Sequence, residues 1–173
     1  MKNNNPIMSD SDIKLIKALG EQGNPKAQHN LGAMYLNGQG VEKNVEKAIN
    51  WFRLAAEQGL VVAQHNLGTL YLQGADSMPS DPLEAAHWFT KAAMQGNPRS
   101  QYSLGALYFE GLGVEKNLEK AYIWISLSLQ AVPDDKQKEV RQVRDFVASQ
   151  LSPEEIESAQ KSTIDIVKDM TIH

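Results

Sequence analysis

The feature that most constrains this chain is a block of about 36 residues that occurs three times along the sequence. Leu31, Leu67 and Leu104 mark the three copies and lie 36 and 37 residues apart. Three other residue types recur in the same register: Gly32/Gly68/Gly105, Tyr35/Tyr71/Tyr108 and Trp51/Trp88/Trp124. Such a period is typical of a solenoid, in which each unit buries its apolar face only against its neighbours. We therefore expect function to reside on an extended surface rather than in a pocket.

Each copy is predicted to be a helical hairpin. In the first copy, Ala27, Leu31, Met34 and Tyr35 follow the helical spacing i, i+4, i+7 and i+8, and a second apolar stripe contains Trp51. Glycine inside a helix costs about 1 kcal/mol relative to alanine, so its recurrence after each marker leucine predicts close approach of a neighbouring helix. The third copy ends in IWISLSLQ, which alternates like a strand, but its register on the earlier tryptophans predicts a helix.

Shorter segments flank the repeats. The predicted boundaries are a flexible N-terminus at 1–11, an N-terminal capping helix at 12–23, three repeats within 24–131 (24–60, 61–97 and 98–131) and a C-terminal pair of capping helices at 132–173. A solenoid needs atypical, polar terminal units of this kind to remain soluble. The sequence thus predicts an all-α solenoid of about nine helices.

The C-terminal pair shows its own helix signals. In its first helix, Val140, Val143, Phe146 and Val147 are predicted to share one side. Its second helix is predicted to begin with a capping box formed by Ser152 and Glu155. Asp81 and Glu84 predict another capping box, in the middle repeat.

Composition excludes several classes of function. The chain has 173 residues, 17 basic against 21 acidic side chains and a net charge of −4, so no positive field favours nucleic acid. Cysteine is absent, which removes disulfides and thiolate chemistry. No apolar run is long enough to span a bilayer, so we expect no membrane insertion. No signal peptide is visible, so we expect a cytoplasmic protein, or a periplasmic one if a signal sequence has been removed. No catalytic motif or phosphate loop is present, and we predict no enzyme and no cofactor.

The repeat itself resembles a known family. The matching residues of the first copy are Leu31-Gly32, Met34-Tyr35, Gly38, Gly40-Val41, Asn44, Lys47-Ala48, Trp51 and Ala55 to Gly59. This pattern resembles the Sel1-like repeat, a relative of the tetratricopeptide repeat. The resemblance implies a right-handed α-solenoid whose first helices line a concave face. It also implies an adaptor or scaffold for other proteins, often in bacteria.

The candidate partner-binding surface consists of the first-helix residues that point away from the predicted core. They are Lys26, His29, Asn30, Ala33, Asn37, Val62, His65, Asn66, Thr69, Gln73, Arg99, Tyr102, Ser103, Ala106 and Glu110. In the predicted solenoid, His29, His65 and Tyr102 would form one column of a polar groove suited to a peptide segment of another protein. The alternative is that these residues are ordinary solvated helix faces.

The same residues allow other interpretations. Two histidines without a nearby carboxylate or thiolate do not make a zinc site, so no metal is predicted. The three tryptophans are expected to pack between repeats rather than to form a ligand platform. Lys47 and Lys120 are interpreted as solvated. An alternative function is an immunity or inhibitor protein that neutralises a toxin, and the oligomeric state stays open.

Overall fold

The computed structural model describes residues 9–75, 78–130 and 134–171. Within these ranges the chain forms nine α-helices and no β-strand, which confirms the predicted all-α class and helix number. The helices are α1 (Asp10–Glu21), α2 (Pro25–Asn37), α3 (Val45–Glu57), α4 (Val61–Gln73), α5 (Pro82–Met94), α6 (Pro98–Glu110), α7 (Leu118–Ser128), α8 (Asp134–Ala148) and α9 (Pro153–Thr171). The alternating segment of the third copy is helical, as its register predicts.

The helices form two compact units, Met1–Leu67 and Gly68–His173, and the division falls within α4. In the first unit, α2 packs against both α1 and α3. In the second unit, α6 packs against α5 and α7, and α7 in turn packs against α8 and α9. Each unit therefore buries its apolar surface between helices that are neighbours in sequence, as expected for a repeat fold.

Side-chain caps fix where the helices begin. Five helices begin with a side-chain oxygen that accepts a hydrogen bond, at 2.8–3.1 Å, from the backbone N–H three residues further along. These capping residues are Asn24, Asn44, Asp81, Asn97 and Asn117. Each bond satisfies an amide that the first turn of a helix leaves without an internal partner. The second helix of the C-terminal pair begins with its predicted box, because Ser152 N donates to Glu155 Oε2 at 2.7 Å and Ser152 Oγ accepts from Glu155 N at 3.2 Å.

The first helix begins at Asp10, two residues before the predicted position. Ser9 and Asp12 form a capping box, with the Ser9 hydroxyl accepting from Asp12 N at 3.2 Å and Ser9 N donating to Asp12 Oδ2 at 3.1 Å. The same serine lowers the pKa of Asp12 below its ordinary value by hydrogen bonding to the ionised carboxylate. Residues 1–8 of the predicted flexible segment lie outside the described residues.

The capping box predicted for the middle repeat is only half correct. Asp81 Oδ1 accepts from Glu84 N at 3.1 Å, which is the expected cap. The Glu84 carboxylate does not complete a box with the Asp81 backbone, since that helix shows only the aspartate half of the motif. Instead Glu84 Oε2 accepts from Trp88 Nε1 at 3.2 Å, because the indole lies one helical turn further along the same face.

The recurrent glycines allow the close helix contacts that the sequence predicts. A Cβ atom at Gly32 would lie 2.7 Å from the ring of Phe52, and one at Gly68 would lie 2.8 Å from the ring of Phe89. At Gly105 the nearest atom would be Ile125 Cγ1 at 2.6 Å. No ordinary Cβ contact is this short, so the missing side chain is what lets the two helices of each hairpin approach.

The apolar side predicted for α8 is partly wrong. Val147 is buried, with 1% of its surface exposed, whereas Phe146 is 59% exposed. Consecutive helical residues point about 100° apart, so α8 cannot turn both toward α7. The exposed ring of Phe146 instead contacts the ring of Phe109 on α6, and the two ring centroids lie 5.8 Å apart.

Candidate protein-binding surface

None of the fifteen predicted surface residues is buried. In the first unit the exposed members are Lys26, Asn30, Asn37 and Val62, and the half-buried ones are His29, Ala33, His65 and Asn66. In the second unit the exposed members are Gln73, Arg99 and Glu110, and the half-buried ones are Thr69, Tyr102, Ser103 and Ala106. All of these positions are on α2, α4 or α6, and in each unit a partner could reach them.

The first unit joins three of these residues in one hydrogen-bonded network. Asn66 Nδ2 lies 2.9 Å from His29 Nε2, and His29 Nδ1 lies 3.4 Å from Asn30 Oδ1. The simplest proton arrangement has Asn66 donating to Nε2 while Nδ1–H donates to Asn30. The ring of His29 also packs on Phe52, with centroids 5.4 Å apart and planes tilted by 54°. The imidazole is therefore held by two polar contacts and one aromatic contact.

The contact between His29 and Asn66 crosses the predicted columns. The sequence placed His29 in line with His65, whereas Asn66 belongs to the next column of aligned positions. Sequence period gives the order of side chains along each helix, but it does not give the lateral offset between α2 and α4. Among the described residues, no group of three or more histidine, cysteine, aspartate or glutamate side chains converges as a metal site would require.

A buried glutamine in each first helix escaped the sequence analysis. Gln28, Gln64 and Gln101 are 3–4% exposed, and each Nε2 donates to a backbone carbonyl eight residues earlier, at 3.0–3.2 Å. The accepting carbonyls belong to Gly20, Ala56 and Ala93, near the ends of the preceding helices. The signal was visible, since all three glutamines occupy the same repeat position. Their role is structural, because each adds a second hydrogen bond to a carbonyl at a helix end that also accepts from a backbone N–H.

The turn after α2 forms an open cavity of about 300 Å³. We call it the first turn cavity, and its lining includes Lys17, Tyr35, Val41, Glu42, Asn44 and Lys47. The sequence predicts Lys47 to be a solvated residue. It is exposed, but its Nζ lies over the ring of Tyr35, 5.4 Å from the centroid. The ring quadrupole attracts the cation and thereby positions it.

The turn after α6 repeats this arrangement. We call it the third turn cavity. It measures about 330 Å³ and is lined by Tyr108, Val114, Glu115, Lys116, Asn117 and Lys120. Lys120 Nζ lies 5.2 Å from the centroid of Tyr108, and Lys116 Nζ lies 5.5 Å from the centroid of Phe109. Lys120 is exposed, as expected for a solvated residue, and like Lys47 it makes a ring contact in addition.

Three hairpins share a side-chain cap on the second helix, a close contact at a helical glycine and a buried glutamine in the first helix. Together these features define an α-helical repeat protein. The family model for the Sel1 repeat matches residues 25–60, 61–97 and 98–131, and the chain belongs to the Sel1 repeat family. The α-solenoid fold class expected from the sequence is thereby confirmed. Proteins of this family generally mediate protein–protein interaction, and the repeat is a non-catalytic scaffold.

Solved structures from bacteria resemble the chain. A Sel1 repeat protein from Oxalobacter formigenes is 35% identical with a TM-score of 0.67, and the match covers 76% of this chain and 98% of that one. The antigen c5321, a protective antigen present in uropathogenic Escherichia coli strains and displaying an SLR fold, is 27% identical with a TM-score of 0.56, covering 91% of this chain and 41% of that one.

A more distant likeness carries no functional weight. The immunity protein Pa5087 from Pseudomonas aeruginosa is 20% identical, with a TM-score of 0.39 over 91% of this chain and 74% of that one. Among the curated proteins, none matches this chain. In the part of the chain that the structure describes, no helix combines the length and the apolar character needed to cross a bilayer.

Proposed function

We propose that this chain is a non-enzymatic binding module, an adaptor or scaffold that holds a segment of another protein on the outward faces of its first helices. The general role of the Sel1 repeat family supports this function. So does the accessibility of the fifteen surface residues, which lie on α2, α4 and α6 and are nowhere buried. The surface is polar with apolar positions interspersed, a composition that suits an extended or helical peptide.

The observation that supports this function best is the hydrogen-bonded pair of His29 and Asn66. An asparagine amide has two N–H donors and one carbonyl acceptor. Its contact with His29 uses one donor, so Asn66 retains an N–H and its Oδ1 for a further partner. A peptide group presents the complementary C=O and N–H, and can pair with such an amide at two points.

The surroundings of this pair favour binding. His29 is fixed by Phe52 and Asn30, so little side-chain entropy remains to be lost when a ligand binds. On the same helix as Asn66, Val62 is 44% exposed and offers apolar surface for a side chain of the partner. Polar pairing of the backbone and apolar contact with side chains together give affinity and selectivity.

Capture experiments with matched variants test this function. The full-length protein, immobilised in an extract of its source cells, is chemically crosslinked to its partners, which are then identified by mass spectrometry. We expect Asn66→Ala and His29→Ala to lose at least about tenfold in capture of a specific partner, since a polar group that is buried on binding and left unpaired costs about 1–3 kcal/mol. The control is Asn50→Ala, the same truncation at an exposed position of α3.

The outcomes separate the alternatives. If both surface variants capture the partner as well as Asn50→Ala does, while all three melt at the same temperature, this function of the α2 and α4 face is refuted. Arg99→Glu and Tyr102→Ala apply the same test to the face of α6 in the second unit. Loss of a single captured toxin, with no other partner found, would favour the immunity or inhibitor role.

A further inference from the structure

We propose that the two turn cavities each bind a carboxylate side chain of an acidic segment in a partner protein. This inference goes beyond the function proposed above, because it concerns the hairpin turns and not the first-helix faces. The same set of residues lines the turn cavity in both units. Each cavity has a tyrosine, a lysine positioned over the tyrosine ring, a second lysine, one glutamate and a capping asparagine.

The charge of each cavity fits a single carboxylate. The first turn cavity has Lys17 and Lys47 against Glu42, and the third has Lys116 and Lys120 against Glu115. Each lining therefore carries a net charge of +1 (2 − 1). Over the described ranges of the chain, none of these four lysines forms an ion pair with an acidic side chain.

The aromatic rings position the ammonium groups without neutralising them. Lys47, Lys120 and Lys116 lie 5.2–5.5 Å from the centroids of their rings. A ring attracts a cation through its quadrupole but accepts none of its charge. Each ammonium group therefore keeps hydrogen-bond donors for an anion, and part of the entropy of ordering a lysine is already lost in the free protein.

The other lining residues favour a carboxylate side chain over phosphate. The helix N-termini at the two turns are already capped, since Asn44 Oδ1 accepts from Lys47 N and Asn117 Oδ1 accepts from Lys120 N, both at 2.8 Å. Two of the backbone amides that would cradle a phosphate are thus occupied. Val41 and Val114 add apolar surface that suits the methylene groups of a glutamate. A phosphate carries about −1.5 to −2 charges, more than either cavity balances.

The middle hairpin provides an internal contrast. Glu84 occupies the position of Lys47 and Lys120, and its carboxylate is bound to the indole of Trp88. Lys91 does lie over an aromatic ring there, 4.9 Å from the centroid of Trp88, but it lines neither turn cavity. It is therefore a matched control: the same contact between a cation and a ring, in a different place.

Titrations followed by backbone amide NMR test the inference on the full chain. The probe is a peptide of alternating glutamate and alanine with both ends blocked, and its comparison peptide has glutamine in place of glutamate. We expect the glutamate peptide to shift the amides of Val41 and Asn44 in one cavity, and of Val114 and Asn117 in the other. Added salt should weaken both responses, because exposed ion pairs are screened.

Paired variants assign the response to the lysines. Lys17→Met with Lys47→Met should weaken binding at the first turn cavity about two- to tenfold and leave the third unchanged, and Lys116→Met with Lys120→Met should do the converse. Methionine keeps an apolar stem over the ring, so the fold is preserved. Lys91→Met should change neither response.

Several results would overturn the inference: no shift with the glutamate peptide, equal shifts with the glutamine peptide, or persistence of the shifts in both paired variants. Sodium glutarate, a free dicarboxylate, tests whether the ligand has to be part of a peptide. Shifts as strong as those caused by the glutamate peptide would refute a protein segment as the preferred ligand. None of the substitutions alters His29 or Asn66. Failure of this inference is therefore distinguishable from failure of the proposed binding function.

Discussion

The turns of the first and third hairpins differ from the turn of the middle hairpin in both backbone and charge. The outer turns each use two glycines with positive φ, Gly38 and Gly40 in one and Gly111 and Gly113 in the other. The middle turn uses a single such glycine, Gly74, followed by reciprocal backbone hydrogen bonds between Ala75 and Met78. The same repeat thus tolerates two different ways of reversing the chain.

The two kinds of turn keep the same anchor. The backbone N–H of the residue that caps the second helix donates to a tyrosine carbonyl in every hairpin: Asn44 to Tyr35 at 2.8 Å, Asp81 to Tyr71 at 2.7 Å and Asn117 to Tyr108 at 2.9 Å. The middle turn has one residue more between these points. The extra residue is accommodated inside the turn, so the register of the second helix is unchanged and only the surface of the turn differs.

The largest effect is expected from Gly113→Ala. A methyl group there would overlap the carbonyl group of Pro82 and approach Leu83 N to 2.5 Å, and the residue has φ of 67°. Backbone atoms cannot move aside as a side chain can. Overpacking together with a positive φ should lower the free energy of unfolding by about 3–4 kcal/mol, measured by urea denaturation followed by circular dichroism.

Gly40→Ala is the comparison for that change. Its methyl group would meet the end of the Ile13 side chain, which can rotate away, and φ is 69°. The loss should be about 1–2 kcal/mol, mostly from the positive φ. Equal losses at the two glycines would mean that backbone conformation alone, and not contact with Pro82, sets the cost of substitution in the outer turns.

The next largest effect is expected from Glu84→Lys in the middle hairpin. This change installs the residue type of the outer hairpins and removes the acceptor of the Trp88 indole, whose residue is only 4% exposed. A buried N–H without a partner should cost about 2 kcal/mol in the urea experiment. Glu84→Gln keeps an acceptor oxygen and should cost less than half as much. If Glu84→Lys lowers the free energy of unfolding no more than Glu84→Gln does, the Glu84–Trp88 contact does not stabilise the middle hairpin and is not what distinguishes it from the outer two.

Sequence repetition predicts well the features that occur in every copy. Examples are the helix pairs, the asparagine and aspartate caps and the contact of Gly32 with Phe52. Each depends on the residue type at a fixed position of the repeat, so the three copies provide three independent indications of the same feature. Local geometry was harder to predict. Asp81 and Glu84 fit a capping box, but a tryptophan one turn later competes for the glutamate.

The candidate binding surface was also predictable in part: the accessibility of its residues was predicted, but their contacts were not. Periodicity identified which first-helix residues are accessible, since none of the fifteen is buried. It did not predict that His29 would bond to Asn66, because that contact depends on how α2 and α4 are offset. The ring contacts of Lys47 and Lys120 also escaped prediction, since they join residues across a turn whose geometry the pattern does not specify.

A smaller effect tests what the hairpins share. Gln64→Met and Gln101→Met remove hydrogen bonds to the carbonyls of Ala56 and Ala93, which also accept from Gly59 N and Gly96 N. Because each carbonyl retains a partner, we expect a loss of about 1 kcal/mol for both variants, measured by urea denaturation. A loss several times larger in only one of the two variants would mean that the hairpins differ in their first helices as well as in their turns.

The smallest effect concerns the cations over the rings. Lys47→Met and Lys120→Met should each lower the free energy of unfolding by about 0.5 kcal/mol, the range expected for an exposed cation–π contact. Lys91→Met, at 4.9 Å from Trp88, should cost about the same. Equal losses would mean that the outer lysines stabilise their hairpins no more than the middle one does. What separates the outer turns is then the unpaired charge that they present to a ligand. A loss above about 1.5 kcal/mol at Lys47 or Lys120 alone would instead make the lysine a structural element of the outer hairpins.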